Sequence, residues 1–403
     1  MNAGLEGRTI LQVIPELETG GAERTTLEVA EAVIAVGGRA LVVSQGGPMV
    51  AELEGFGARH IEMPVASKNP LVLHQNRVRL EKLIRAEGVA LVHARSRAPA
   101  WSAHAAARAA GVPFITTYHG IYRARSGLKR AYNAIMARGD YVIANSHHTA
   151  AAVLAEHSPR PLADPSRLIV IHRGADLRRF SPDKVTVDRV EAIEKAWDGG
   201  KKLKILLPGR LTEWKGQHDL IAAAQILRET RQAGDLRIVL AGSDQGRSGY
   251  RAALEQAVGA AGLEQVILLP GNCDDMPAAL SWADLVISAS RRPEAFGRVA
   301  IEAQAMARPV IATGHGGAME TVVEGKTGWL YSPGDAAALA ERIAAFAALS
   351  GPERQAIGAA ARENAAENFS VARMTERTLQ VYCRALGLGG LGSGGLGCGD
   401  AGS

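Results

Sequence analysis

Short apolar runs alternate with longer alanine-rich stretches along most of the chain. This alternation limits the possible folds more than any other feature of the sequence. The runs at 9–14, 40–44, 90–93, 114–118, 141–144 and 168–171 form a first series. Those at 204–207, 237–241, 266–269, 285–288, 310–312 and 329–331 form a second. Each is too short for a helix and largely apolar, as a strand buried on both faces must be. The stretches between them are long enough for helices. Strand alternating with helix predicts parallel sheets covered on both sides, and two such series predict an α/β protein of two Rossmann-like domains. The chain has 403 residues, enough for two cores of ordinary size. We expect the first domain over 1–182 and the second over 183–368, joined near the polar Ser181-Pro182-Asp183. A last helix is expected at 371–385, within a separate segment at 369–386. The glycine-dominated tail at 387–403 is expected to lack regular structure.

Open parallel sheets bind ligands beyond the carboxyl ends of their strands, so the residues just after each run are the candidates. After 285–288 comes Arg291-Arg292-Pro293-Glu294-Ala295-Phe296-Gly297-Arg298, followed by an alanine-rich helical stretch carrying Glu302. A helix start between two acids offers backbone N–H groups and a positive dipole end to an anion such as a diphosphate. The two carboxylates could then take hydroxyls on either side. The same spacing also suits an ordinary strand-loop-helix unit whose acids are merely solvated.

The other strand ends carry their own signals. Gly20 and Gly21 follow the first run and permit close backbone approach to a phosphate or sugar, although the full G-x-G-x-x-G spacing is absent. His119-Gly120 ends the run at 114–118; a histidine there either meets a ligand or makes a structural hydrogen bond. Arg210 and Lys215 follow the run at 204–207, where a guanidinium and an ammonium could grip a leaving diphosphate. With such cations no metal is needed. The sequence contains no Asp-x-Asp motif and no paired cysteine spacing among Cys273, Cys383 and Cys398, so we expect neither a metal nor another cofactor. Unpaired cysteines point to a reducing compartment. No apolar run approaches the length of a spanning helix, and we expect neither a signal peptide nor a transmembrane segment.

The formal charge of +5 is unevenly spread. Residues 63–139 hold 13 basic side chains against two acidic ones, Glu81 and Glu87. A one-sided basic region suggests an anionic partner. Its centre is Ile121-Tyr122-Arg123-Ala124-Arg125-Ser126-Gly127-Leu128-Lys129-Arg130, where cations are interleaved with Tyr and Leu directly after His119-Gly120.

Taken in order, Gly20-Gly21-Ala22-Glu23, His119-Gly120, Asn145-Ser146, Gly174-Ala175-Asp176, Gly209-Arg210, Lys215-Gly216, Gly242, the stretch 294–302 and Gly316-Gly317 resemble the retaining glycosyltransferases of family 4, which have the GT-B fold. The resemblance covers nearly all of the chain except the glycine-rich tail. It implies two Rossmann-like domains facing across a cleft, with the last helix crossing back to the first domain. It also implies metal-independent transfer, with retention, from a nucleotide-diphosphate sugar to a glycan or glycolipid acceptor. By this resemblance Glu294 would meet the donor sugar and Glu302 the nucleotide ribose. Arg210 and Lys215 would neutralise the diphosphate, with the amides of Phe296, Gly297 and Arg298 alongside. His119 would lie near the sugar, and Gly20 and Gly21 near the diphosphate and acceptor. Related enzymes of lipopolysaccharide and glycolipid synthesis meet the membrane through the first domain. Arg123, Arg125, Lys129 and Arg130 are therefore expected at anionic headgroups or acceptor phosphates, with the protein peripheral at the inner face of the cytoplasmic membrane and without a nucleic-acid partner. Ala295, Arg298, Arg173 and Gln304 depart from the usual pattern. Two competing readings are a nucleotide-sugar epimerase of the same fold and a non-catalytic sugar-nucleotide binder.

Overall fold

The computed structural model describes residues 4–122, 124, 126–157, 164–231, 235–246 and 248–388. The first series of runs becomes β1 (Thr9–Val13), β2 (Arg39–Ser44), β3 (Arg59–Glu62), β4 (Val89–Ala94), β5 (Phe114–Tyr118), β6 (Tyr141–Ala144) and β7 (Leu168–Val170). The second becomes β8 (Leu203–Pro208), β9 (Leu236–Ala241), β10 (Ile267–Gly271), β11 (Leu285–Ser288), β12 (Val310–Thr313) and β13 (Gly328–Tyr331). The seven strands form one sheet in the order β3-β2-β1-β4-β5-β6-β7, and the six form another in the order β10-β9-β8-β11-β12-β13. Pairing is parallel through the six-stranded sheet and, in the seven-stranded one, from β3 through β5 and between β6 and β7. Two Rossmann-like sheets are therefore present, as expected.

One strand was not expected. β3 reads Arg-His-Ile-Glu and contains a single apolar residue. It lies at the edge of its sheet, where one side lacks a neighbour and polar side chains reach water. Apolar periodicity could not reveal it, because this strand is held mainly by its backbone ladder to β2.

The chain groups into two compact units. One takes residues up to Thr116, Arg138–Tyr141 and those from Glu376 on; the other takes Thr117–Ala137 and Val142–Thr375. In the first unit, every residue of β1 is buried. The last helix, Val371–Ala385, contributes Tyr382 to this core, with its hydroxyl 2.6 Å from His93 Nδ1. Gly387 and Leu388 close that helix, Leu388 N donating to Cys383 O; the rest of the glycine-rich tail lies outside the described residues.

In the second unit the strands are buried on alternate faces by two separate apolar clusters. Ile205, Leu207, Ile238, Leu240, Leu285, Ile287 and Ile311 face one cluster. Leu206, Val239, Val286, Val310 and Ala312 face the other. This explains why the runs are continuous rather than alternating: a parallel strand with helices on both sides has no wet face.

Candidate functional site

In the six-stranded sheet the order reverses between β8 and β11, which lie side by side. The connections leaving these two strands run in opposite directions, which opens a crevice at their carboxyl ends. Lys215 ends the short 3-10 turn Glu213–Lys215 after β8, and Glu294 lies in the loop after β11. The two meet there, with Lys215 Nζ 2.7 Å from Glu294 Oε1. Both are largely enclosed, with 14 % and 21 % of their side chains exposed, so little water screens the pair. The Ser290 hydroxyl also donates to Glu294 Oε1, and the Lys215 ammonium lies 4.6 Å from the centre of the Trp214 ring.

Close backbone approaches hold this loop. Gly216 has φ +74, and a Cβ there would come within 1.9 Å of Ala289 O. Gly316 (φ +62) and Gly317 pass directly against the Glu294–Phe296 backbone, and Gly317 N donates to Glu294 O at 2.9 Å. No side chain fits at these positions, which explains the glycines that the sequence places at both strand ends. Arg291 is bound to the buried Asp219, and its backbone N–H donates to Trp214 O at 2.7 Å. It braces the loop rather than standing free.

The helix after the loop runs Arg298–Ala305, with Gly297 in the left-handed conformation at its start. Glu294 therefore lies in the loop and Glu302 in the helix, the order the sequence suggested. Glu302 sits opposite Arg298, Nη2 to Oε1 at 3.0 Å. Burial pushes its carboxyl above the usual range, against the pull of Arg298 and Arg179. Arg298 Nε is buried and meets no acceptor among the described residues. Arg210 is exposed, its Nη1 3.4 Å from Gln245 Oε1.

A second cluster forms at the ends of β5, β6 and β7, within the same compact unit. Arg173 Nη2 lies 2.9 Å from His119 Nδ1, and Asn145 Nδ2 donates to His119 O at 3.4 Å. A guanidinium can only donate, so in this contact Nδ1 accepts and Nε2 is left to donate. A run of hydrogen bonds leads from here to the Glu294 loop. The Thr149 hydroxyl donates to Asn145 Oδ1 at 2.8 Å, and the Ser146 hydroxyl donates to Ala295 O. The residues quoted from separate strand ends, His119, Asn145, Ser146, Lys215 and Glu294, thus belong to one connected structure.

The remaining expected residues sit on other elements. Gly20 precedes and Gly21 begins the helix Gly21–Ala35 in the other unit. Lys129 and Arg130 are exposed on the short helix Gly127–Asn133, beside a Leu128 that is 88 % exposed. Arg130 Nε lies 3.6 Å from Glu156 Oε1. Arg123 and Arg125 lie outside the described residues. Sequence reasoning missed Ser290 and Asp219, and it read Arg173 as part of a strand-end group and as a departure from a pattern, without a partner. Ser290 could have been found as the hydroxyl two positions past β11; nothing local marks Asp219.

Residues 19–179 match the glycosyltransferase family 4 family, and residues 189–364 match the glycosyl transferases group 1 family. Among solved structures, a glycosyltransferase from Rickettsia africae ESF-5 is 35% identical, with a TM-score of 0.86, over 94% of this chain and 99% of that one. Anabaena Alr3699/HepE, solved in complex with UDP, is 23% identical with a TM-score of 0.80, over 94% of this chain and 100% of that one, a likeness of fold. WcaL of Escherichia coli (strain K12), which carries the name of a colanic acid biosynthesis glycosyltransferase, is 32% identical over 63% of this chain and 60% of its own length. The chain spans less than two thirds of the length of the curated relatives it matches first.

Proposed function

The chain belongs to the family 4 glycosyltransferases, and on that premise we propose that it transfers a sugar from a nucleotide-diphosphate sugar to a glycan or lipid-linked acceptor in cell-envelope glycoconjugate synthesis. The observation that carries this reading is the enclosed Lys215–Glu294 pair at the switch point of the six-stranded sheet, in a loop whose Ala295 carbonyl accepts from Ser146, next in sequence to the Asn145 that donates to His119 O. An arriving diphosphate supplies a second anion for Lys215, and with it the charge that the lysine and the exposed Arg210 stabilise as the nucleotide leaves. The Glu294 carboxylate, held by Lys215 and Ser290, keeps acceptor lone pairs for sugar hydroxyls. Glu302, raised by burial, receives the ribose. His119, with its proton on Nε2, is a donor for a sugar oxygen.

The reaction is metal-independent and proceeds with retention. The departing phosphate helps to deprotonate the acceptor on the face that it leaves. Uridine is the favoured nucleotide, by analogy with the fold neighbour solved with UDP, and WcaL's name motivates the envelope setting. No helix among the described residues is long and apolar enough to cross a membrane. The exposed Leu128 between a glycine and the cations Lys129 and Arg130, with Arg123 and Arg125 nearby in sequence, supports peripheral attachment at the inner face of the cytoplasmic membrane.

A donor screen tests the reading by following nucleotide release with and without lipid-linked acceptors. Acceptor-dependent release supports transfer. Release or sugar isomerisation without acceptor would assign the epimerase reading, and binding without turnover the non-catalytic one. Flotation with liposomes tests attachment: recovery with anionic and not with neutral lipid supports it, and equal recovery counts against it.

A further inference from the structure

Outside the donor grip, three side chains converge near the start of the helix His147–His157: His147 itself, His172 just past β7, and Glu320 in the short helix Ala318–Thr321. One ligating atom from each lies within 4.8 Å of the other two. Two imidazoles and one carboxylate are the donor set that Zn²⁺ accepts as three ligands, with water completing a tetrahedron. Mg²⁺ prefers an all-oxygen shell and fits this set poorly.

Two of the three groups are already oriented. The His172 ring packs against both Phe296 and Phe369, with centroids at 5.7 and 5.4 Å, and its Nε2 is 2.7 Å from Glu320 Oε2. The Glu320 carboxylate also accepts the backbone N–H groups of His147 and His148, each at 2.8 Å. Such outer hydrogen bonds fix the direction of a metal ligand. His147 is exposed, and its ring centroid lies 5.6 Å from that of His172, so the third ligand and the open coordination position face solvent. Helix capping accounts for the Glu320 carboxylate. It does not account for two imidazoles gathered around it.

We propose that His147, His172 and Glu320 form a Zn²⁺ site, separate from the residues that grip the donor. On binding, the ion takes the place of the hydrogen between His172 Nε2 and Glu320 Oε2, and the neutral ring then carries its one proton on Nδ1. The ion would then tie together three segments distant in sequence, one of them packed against Phe296 in the loop that carries Glu294. Binding to the folded form alone would raise its stability in proportion to the logarithm of metal concentration.

Calorimetric titration of the chelator-washed full chain with ZnCl₂, paired with thermal unfolding, tests the proposal. It expects one Zn²⁺ per chain and a Tm that climbs with ZnCl₂ but not with MgCl₂. His147→Ala keeps the backbone N–H on Glu320 and therefore the helix cap. It should leave the metal-free Tm unchanged while weakening Zn²⁺ binding by about tenfold or more. Absence of saturable heat up to millimolar ZnCl₂ would overturn the proposal. So would equal affinity in His147→Ala, which would put the ion elsewhere. Neither result depends on transferase turnover.

Discussion

The loop 290–296 and the helix Arg298–Ala305 that follows it each present one acid, and they treat it in opposite ways. Glu294 is charge-matched before any ligand arrives, with a lysine and a serine hydroxyl on the same oxygen. Glu302 has an arginine as well, but burial outweighs it and pushes the carboxyl up. The difference reflects where each partner comes from. Lys215 is 79 residues away and is brought in by the neighbouring strand, so the pair is set by the sheet. Arg298 is a local i,i+4 neighbour on the same helix, an arrangement that contributes little on its own. The loop thus holds a stable anion and cation side by side, which suits charge that develops during reaction. The helix holds an acid whose ionised form is less well supported until a hydroxyl donor reaches it.

The largest effect should follow from separating the loop pair. Lys215→Ala and Glu294→Ala should each lower kcat/KM by about 10²–10³-fold, as expected where a preorganised charged contact to the transition state is lost. Because the two act as a unit, the double variant should be little worse than the poorer single one. Steady-state nucleotide release with acceptor measures this; additive losses would mean that the two side chains act independently and not as a pair.

A smaller effect is expected from the brace beneath the loop. A Cβ at Gly317 would come within 2.4 Å of the Phe296 Cα, so Gly317→Ala must displace the backbone that carries Glu294. Urea unfolding should show a loss of about 1–3 kcal/mol, typical of overpacking. Unchanged stability would show that the loop yields freely and that the charge pair does not depend on it.

Glu302→Gln should act on binding more than on chemistry. It should raise the donor KM by roughly tenfold, the value of one hydrogen bond to a charged group, with kcat near its original value. A fall in kcat equal to that of Glu294→Ala would erase the distinction between the two acids.

The smallest effect is a pH dependence. A carboxyl raised in the folded state binds its proton more readily there than in the unfolded chain. Its contribution to stability therefore falls as pH rises from the unfolded carboxyl value through the raised folded one, and it stays lost above that. Glu302→Gln removes this term. The stability of the variant relative to the original protein should thus increase with pH across that window, measured by urea unfolding at several pH values. A flat difference would show that Arg298 fully offsets burial.

Much of the fold could be read from residue order. Twelve apolar runs marked twelve of the thirteen strands, and the last helix runs over the expected residues, Val371–Ala385. Such signals are local: a strand buried on both faces must be apolar along its length, and an amphipathic helix repeats every few residues. β3 escaped because an edge strand has no such requirement. The candidate residues were also visible, as polar and glycine positions just beyond strand ends.

What only the tertiary structure decided was pairing. Arg173 reached His119 across 54 residues, and Glu320 capped the helix at His147 and His148 across more than 170. Asp219 took Arg291, which opens the loop that carries Glu294. Each pairing depends on which strand lies beside which and how far its loop reaches. No local pattern encodes that, because strand order is settled by packing both faces of a sheet at once. The sequence by itself determined two doubly covered parallel sheets and the chemistry available at their carboxyl ends. The folded chain decided which of those groups stand as partners, which remain open, and how the loop that carries Glu294 is braced.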